Sequence, residues 1–278
     1  MTIKLPNFPK SLKESFARLA KPLTSFKEKF LLSWVYDSVF YSVIVLLFLQ
    51  AFAMLANQLL TLQPLVNQAA VSAELAAQAA AGMTKLVWTT GASVILVPLF
   101  ALALYSLFKG AIWRMIAENK AAKFGWKPFW KFFLLNLIWY VVSVPVFAGW
   151  LALIFYLAAL FGVAWLAWIV LVLSILLWLH LLITMHYSFA HNQKISKSLA
   201  SIFKVGFARI GGFVLPYALA VIVFWIWSQL WAALARLNIS PKLQLIAASV
   251  VIIAPFAAWL RIYIAEGLKE ITGRVKFK

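Results

Sequence analysis

Six long, almost uncharged apolar segments constrain the fold of this chain more than any other feature of its sequence. A helix that crosses the roughly 30 Å hydrocarbon core of a bilayer needs about 20 mainly apolar residues. The third and fourth segments are nearly continuous, because no charge interrupts the 62 residues between Lys131 and Lys194, a length that suits two crossings with a turn near Phe161 and Gly162. We therefore predict an all-α polytopic membrane protein with six transmembrane helices. The segments are Phe30–Leu60, Leu86–Phe108, Phe132–Leu160, Val163–Phe189, Ile210–Ala235 and Leu243–Ile264.

The composition supports membrane residence and excludes several other classes of protein. Hydrophobic residues make up 65% of the chain and charged residues 12%, whereas a soluble domain averages about 45–50% and about 25%. The formal net charge of +18 would suggest a nucleic-acid partner in a soluble protein. In a membrane protein, the positive-inside rule and attraction to anionic lipid explain this net charge, so no nucleic-acid partner is expected. The absence of cysteine excludes disulfides, thiolate metal sites and a cysteine nucleophile.

Basic residues alternate strongly between the segments that connect the spans. Their numbers along the chain are seven, one, six, none, four, two and five, so 22 of the 25 fall on one side. The positive-inside rule then places both termini in the cytoplasm of a multi-pass cell-membrane protein. We expect Ser72 to be reachable from outside and Ser198 to be protected. The predicted units are a basic amphipathic segment at 1–29, a transmembrane domain at 30–265 and a basic cytoplasmic tail at 266–278.

The outward connection between spans 1 and 2, Thr61–Thr84, is rich in Ala and Gln and carries a single acid, Glu74. Its helical propensity predicts that it extends span 1 as a helix or helical hairpin outside the membrane.

The segment before span 1 has the pattern of an interfacial amphipathic helix. Its apolar residues recur at spacings of three and four, which places them on one helical face with basic residues elsewhere. Such a helix is suited to lie in the headgroup plane with its lysines toward anionic lipid. The predicted lipid-facing residues are Leu12, Phe16, Leu19, Leu23 and Phe26, and the basic ones are Lys10, Lys13, Arg18 and Lys21.

Similar basic stretches precede spans 3 and 5, at Ala111–Lys131 and at Lys194–Lys204. Three hairpins in parallel repeat would explain this recurrence. The alternative is that any cytoplasmic loop beside a bilayer becomes basic and amphipathic, and the sequence does not separate the two explanations.

The approach to span 3 reads Phe-Gly-Trp-Lys-Pro-Phe-Trp-Lys at 124–131. Together with the six spans, this basic aromatic approach resembles prokaryotic polytopic membrane proteins of unknown function related to the membrane domain of glycerophosphodiester phosphodiesterases. The resemblance implies a similar six-helix architecture. It implies no catalytic residue, because in that group the phosphodiesterase is a separate soluble domain.

No phosphate-binding loop, dinucleotide glycine pattern, zinc-protease motif or nucleophile elbow occurs in the sequence. What remains is an intramembrane polar cluster of Asp37, His180, His186 and Arg261 toward the cytoplasmic third of the spans. Charges at depth cost about 2.5–3.5 kcal/mol on insertion scales, so they normally have partners. The two histidines lie about 240° apart around a helix, which argues against a metal site. No catalytic residue, metal or cofactor is predicted.

Asp37 and Arg261 are expected at similar depths, about 10 Å from the cytoplasmic side at 1.5 Å per residue. We expect Asp37 to pair with Arg261, or failing that with His186, and to close the cytoplasmic end of the bundle. Exchanging the two residues should then recover part of the stability that is lost when Asp37 is neutralised.

The leading functional hypothesis is a non-enzymatic membrane protein, a membrane-organising or accessory subunit that engages anionic lipid headgroups. The first alternative is a transporter or channel for a lipid-like or small solute through a bundle kinked at Pro98, Pro145, Pro216 and Pro255. An intramembrane enzyme is the third hypothesis.

Overall fold

The computed structural model describes residues 27–68, 70–118, 125–208, 210–237 and 239–272, and these form helices and turns without a strand. The predicted amphipathic segment up to Phe26 lies outside the described residues, as do positions 273–278 of the predicted tail. The helices are α1 (Lys27–Gln68), α2 (Ala73–Glu118), α3 (Trp126–Leu160), α4 (Ala164–Asn192), α5 (Ile195–Ser201), α6 (Val214–Ala235), α7 (Pro241–Ala248) and α8 (Ala254–Thr272). A π-helical turn, Ile202–Phe207, follows α5, a 3-10 turn, Ile210–Phe213, precedes α6, and a second π-helical turn, Ser249–Ile253, joins α7 to α8.

Six helices of the described residues are long and apolar enough to cross a membrane: α1, α2, α3, α4, α6 and the continuous α7–α8 helix. This confirms the expected number of helices that are long and apolar enough to span a membrane. The first two helices are much longer than a crossing requires, since the 42 residues of α1 correspond to about 63 Å. They meet in a short turn around Val71, which gives the helical hairpin expected of the Thr61–Thr84 connection.

Some helix boundaries differ from those expected. Helix α2 continues through Ala111 to Glu118, so the first part of the basic stretch before span 3 belongs to the preceding helix. Helix α8 continues to Thr272 and includes the first residues assigned to the tail. In both helices, basic residues that were predicted to lie in a loop or in the tail are helical.

The core lies at one end of the bundle. We call this the terminal end, because it contains the start of α1 and the end of α8. Phe132 and Leu135 of α3, Met185 of α4 and Leu268 of α8 are fully buried there. Helix α2 contacts α1, α3, α4 and α8, and α8 also contacts α1, α4 and α6. The terminal end is thus closed by side chains from every long helix.

The opposite end of the bundle is packed far less closely. Its buried apolar residues are Leu62 and Ala79 in the α1–α2 hairpin, and a separate cluster of Ile154, Ala158 and Ala167 in the α3–α4 hairpin. Large apolar side chains remain exposed along the helices, for example Phe52, at 74%. The hairpins therefore associate mainly through the terminal end.

Both π-helical turns direct a backbone carbonyl toward a side chain on another helix. In the first turn the carbonyl of Gly206 lies 3.1 Å from Nε2 of His180. In the second, Trp34 Nε1 donates to the carbonyl of Val250 at 2.8 Å. Pro255 has no N–H to offer to Val250 in an i→i−5 turn, so the tryptophan supplies a donor that the helix lacks.

The prolines do not all interrupt helices. Pro98 and Pro145 lie inside α2 and α3. Pro255 lies inside the continuous α7–α8 helix, directly after its π-helical turn. Pro216 instead lies in the first turn of α6, where a residue does not use its N–H within the helix. Three of the four expected sites can therefore act as mid-helix kinks.

The unequal packing of the two ends predicts different responses to the same substitution. Phe132→Ala should lower the free energy of unfolding by about 3–5 kcal/mol, because it leaves a cavity in the terminal-end core. Phe52→Ala is the matched control and should change stability little. Thermal unfolding of the purified protein in detergent measures both, and equal losses would contradict the assignment of the core.

Candidate functional site

The candidate site is built around Asp37, a carboxylate with no exposed surface in the first third of α1. Arg261 of α8 reaches it across the terminal end, with Nη2 3.1 Å from Oδ2 and 3.3 Å from Oδ1. The predicted Asp37–Arg261 pair is therefore present. It joins α1 and α8, the first and last helices of the described residues.

A second cation, Lys109 of α2, also binds Asp37 through a hydrogen bond and ion pair to Oδ1. Its side chain is only 3% exposed. The ammonium also lies 4.6 Å from the ring centroid of Phe40 and 4.4 Å from that of Tyr41. The ammonium therefore makes a cation–π contact with each of these two rings.

Lys109 was not predicted in the site, because it follows the second apolar segment and was assigned to a cytoplasmic loop as its first basic residue. A lysine directly after an apolar run is the usual sign of a span boundary. The signal that could have placed it inside the bundle is helical spacing, since Ser106, Lys109 and Trp113 lie at i, i+3 and i+7 on one face of α2. All three are buried.

Asp37, Lys109 and Arg261 form a buried triad with one negative and two positive formal charges. The guanidinium of Arg261 packs against the ring of Trp113, 5.9 Å from its centroid. Its Nη1 has no hydrogen-bond partner among the described residues. The triad therefore contains one more positive charge than its carboxylate can neutralise.

His186 lies beside the triad in a separate hydrogen-bonded chain. Asn136 Nδ2 donates to the carbonyl of Phe132 at 2.9 Å and to Ser106 Oγ at 3.2 Å, which leaves its Oδ1 as the acceptor 2.7 Å from His186 Nε2. His186 Nε2 must therefore carry a proton. The ring of His186 also packs against Trp113, with centroids 6.2 Å apart. His186 is thus the neighbour of the charged triad and does not take part in its ion pairs.

His180 does not join this cluster, which corrects its grouping with the other three residues. Its Nε2 donates to the carbonyl of Gly206, and its Nδ1 lies 3.1 Å from the hydroxyl of Tyr217. The physical reason is the angular separation of His180 and His186 on α4, which directs them toward different helices. Within the described residues there is no group of three or more His, Asp or Glu side chains that could hold a metal ion.

The surface of the terminal end carries a second feature, which we call the collar. Its basic side chains are exposed, and so are aromatic side chains between them, led by Trp126 at 72% and Phe203 at 68%. The rings of Phe203 and Phe207 stack with centroids 5.9 Å apart, and Trp126 contacts Trp130 at 5.2 Å. The collar consists of Lys27, Trp126, Lys127, Trp130, Lys194, Lys197, Phe203, Lys204, Phe207 and Lys269.

The segment from Ile195 to Phe207 shows how the collar is positioned. Ser198, Ile202 and Val205 are buried, and the segment packs on α4. This packing leaves Phe203 and Lys204 exposed on the opposite face. Two adjacent apolar residues of this segment are thus divided, with Ile202 in the core and Phe203 on the surface.

No family model, curated protein or solved structure matches this chain. The resemblance of residues 124–131 to the membrane domain attached to glycerophosphodiester phosphodiesterases stays a prediction.

The charge imbalance of the triad predicts unequal effects of neutralising its members. Asp37→Asn should cost about 3–5 kcal/mol of stability, because it leaves two buried cations without a carboxylate. Lys109→Met should cost less, because the Asp37–Arg261 pair remains and the total charge falls to zero. Thermal unfolding in detergent gives the comparison, and a larger loss for Lys109→Met would contradict it.

Because Lys109 also binds Asp37, exchanging Asp37 and Arg261 is no longer expected to recover the stability that the sequence alone predicted. Asp37→Arg with Arg261→Asp would place an arginine beside Lys109, and like charges in a buried site repel each other. The exchange should therefore recover little stability on its own. Adding Lys109→Met should improve the recovery, and thermal unfolding of the double and triple variants tests this directly.

Proposed function

We propose that this chain is a multi-pass protein of the cell membrane, with both termini in the cytoplasm, and that its collar engages anionic lipid headgroups. In this role it acts as a non-enzymatic, membrane-organising or accessory protein. The observation that carries the proposal is the clustering of exposed lysines and exposed aromatic rings at the terminal end. Aromatic rings prefer the headgroup level, and lysines there are attracted to anionic lipid.

Membrane residence is supported by the apolar side chains that the fold leaves uncovered. Phe52, Trp88 and Trp225 are among many large apolar residues that are mostly exposed on the long helices. A soluble monomer rarely exposes apolar patches beyond a few hundred Å². Hydrocarbon around the bundle would cover these surfaces without a protein partner.

The cytoplasmic position of the terminal end is supported by the distribution of charge. The collar lysines lie at this end, whereas the basic residues toward the opposite end are Lys85, Arg236 and Lys242 in the described part of the chain. The positive-inside rule favours the cytoplasm for the end richer in lysine. The cytoplasmic leaflet also carries the anionic lipids that the collar would bind.

The distribution of buried polar groups favours this function over transport. In the described residues, Asp37, Lys109, Asn136, His186 and Arg261 all lie toward the terminal end. The buried residues of the opposite end are apolar, as in the cluster around Ile154 and Ala158. A transporter needs polar groups that reach both faces, and in the described residues the polar side-chain contacts of the opposite half are partly or fully exposed, such as Gln58 with Thr89 and Trp150 with Ser174.

The test of lipid binding is a triple substitution in the collar. Lys127→Gln, Lys197→Gln and Lys204→Gln together should weaken binding of anionic phospholipid on the order of 100-fold, since each lysine contributes about 1 kcal/mol and 1.4 kcal/mol is tenfold. Native mass spectrometry of lipid-bound protein or lipid exchange in nanodiscs measures the change.

The matched control carries Lys85→Gln, Arg236→Gln and Lys242→Gln, with the same number of charges removed from residues toward the opposite end. It should retain binding of anionic lipid. Equal losses in the two triple variants would show that net charge alone governs binding, and would contradict a specific role for the collar.

Orientation is tested by single-cysteine labelling, because the chain has no native cysteine. Ser72 is exposed in the α1–α2 turn, but Ser198 is fully buried and would resist labelling on either side of a membrane. Ser196, which is exposed, is the better cytoplasmic reporter. In intact cells Ser72→Cys should react with an impermeant maleimide and Ser196→Cys only after permeabilisation. The reverse pattern would overturn the orientation.

A further inference from the structure

A groove lies on the outer surface of the bundle where the start of α3 meets α2. Its volume is about 180 Å³, and apolar cavities of about 150 Å³ hold molecules as large as benzene. A helix of another protein, with a diameter of about 10 Å, is too wide to enter it. The groove therefore suits a narrow apolar chain. Its walls are apolar throughout: Ala103, Leu104 and Leu107 of α2, and Gly125, Trp126 and Phe129 at the start of α3.

The groove is open toward the outside of the bundle. On its walls Leu107 is 46% exposed and Trp126 is 72% exposed. Gly125 stands beside open space, since a Cβ added there would meet no atom of the described residues within 4 Å. A ligand can therefore enter from the surface without displacing a side chain of the core.

Positive charge lies at the terminal-end side of the groove. Helix α2 runs toward the terminal end, and Arg114 follows Leu107 by seven residues, which places it on the same helical face about 10 Å nearer that end. Arg114 also lines a small crevice with Pro128 of α3, the neighbour of the groove residue Phe129. The exposed Lys127 of the collar directly follows Trp126. Apolar walls with cations at one end match the charge pattern of a phospholipid with an anionic headgroup.

We propose that this groove holds one acyl chain of an anionic diacyl phospholipid whose phosphate lies against Lys127 and Arg114. The inference rests on the lipid binding proposed for the collar and gives one lipid a defined position there. Hydrocarbon already surrounds a bundle in a membrane, so the chain gains from close packing against the walls and not from transfer out of water. The linked headgroup and chain reinforce each other, because binding of one raises the effective concentration of the other.

The first experiment locates the chain on the wild-type protein. Phosphatidylglycerol with a diazirine on one acyl chain is added at equimolar ratio to the full-length protein in neutral detergent, and the labelled peptides are identified by mass spectrometry after illumination. Labelling should concentrate in the peptides that contain Leu104 and Phe129. Even labelling along the exposed faces of all the long helices would overturn the assignment of the groove.

The second experiment fills the groove. Gly125→Phe adds a ring beside open space without backbone strain, because φ of −76° and ψ of 172° suit any residue. It should weaken binding of phosphatidylglycerol about fivefold, since chain packing in hydrocarbon is worth less than the charge contacts of the headgroup. Native mass spectrometry measures the change. Should Gly125→Phe fail to fold, the labelling of the wild-type protein decides the result.

Gly149→Phe is the matched control for this variant. Gly149 is exposed on α3 and does not line the groove, and a Cβ there likewise meets no atom of the described residues within 4 Å. Gly149→Phe should therefore bind phosphatidylglycerol as tightly as wild type. Equal losses in the two phenylalanine variants would overturn the proposal.

The outcomes separate the groove from the collar. If Gly125→Phe binds phosphatidylglycerol as wild type does while the triple collar variant binds weakly, the groove is wrong and lipid binding at the collar stands. If the triple collar variant also binds as wild type does, the proposed function fails as well. Labelling of the groove by diazirine phosphatidylcholine as strong as that by phosphatidylglycerol would overturn the choice of an anionic lipid.

Discussion

The shared carboxylate of Asp37 is the interaction on which the closed end of this bundle depends. It lies on α1 and binds cations from α2 and α8, which are 72 and 224 residues further along the chain, so three helices meet at one buried charge. In a low-dielectric interior such contacts are strong, and the loss of one partner is correspondingly costly. Apolar side chains pack around the triad at the same end, whereas the opposite ends of the hairpins have little buried contact. The long helices are thus held together mainly at the terminal end.

The terminal end also carries the collar, the surface that we propose binds anionic lipid. In helix α3 the collar and the core are close together, since exposed Trp126 and Lys127 are followed within three turns by buried Phe132 and Asn136. The segment after α4 repeats this arrangement, with Ile202 in the core and Phe203 next to it on the surface. Because Lys197, Lys204 and Lys269 each adjoin a buried residue, the core fixes the positions of these collar lysines. A preorganised set of cations loses less freedom on binding than the same lysines on a flexible chain.

The sequence predicted the features that follow from length, hydropathy and charge count. Six apolar segments gave six long helices, the Ala-rich connection formed a hairpin, and the depths of Asp37 and Arg261 indicated their pairing. Other features depend on which helices become neighbours, and a linear pattern does not contain that information. Lys109 was assigned to a loop because α2 runs past the apolar segment, and His180 was grouped with His186 although their angles on α4 separate them. The π-helical turns were not foreseen, since they are accommodated by partners such as Trp34 and His180 from distant helices.

The central claim is that Lys109 and Asp37 interact directly in a buried site, and a double-mutant cycle tests it most directly. Asp37→Asn, Lys109→Met and the double variant would be unfolded thermally at low and at high salt. We predict a coupling free energy of about 1–3 kcal/mol, because Lys109→Met should be far less harmful once the carboxylate is gone. The coupling should also persist at high salt, since buried pairs are screened little. Additive effects of the two substitutions, or a coupling that disappears with salt, would contradict a buried shared carboxylate.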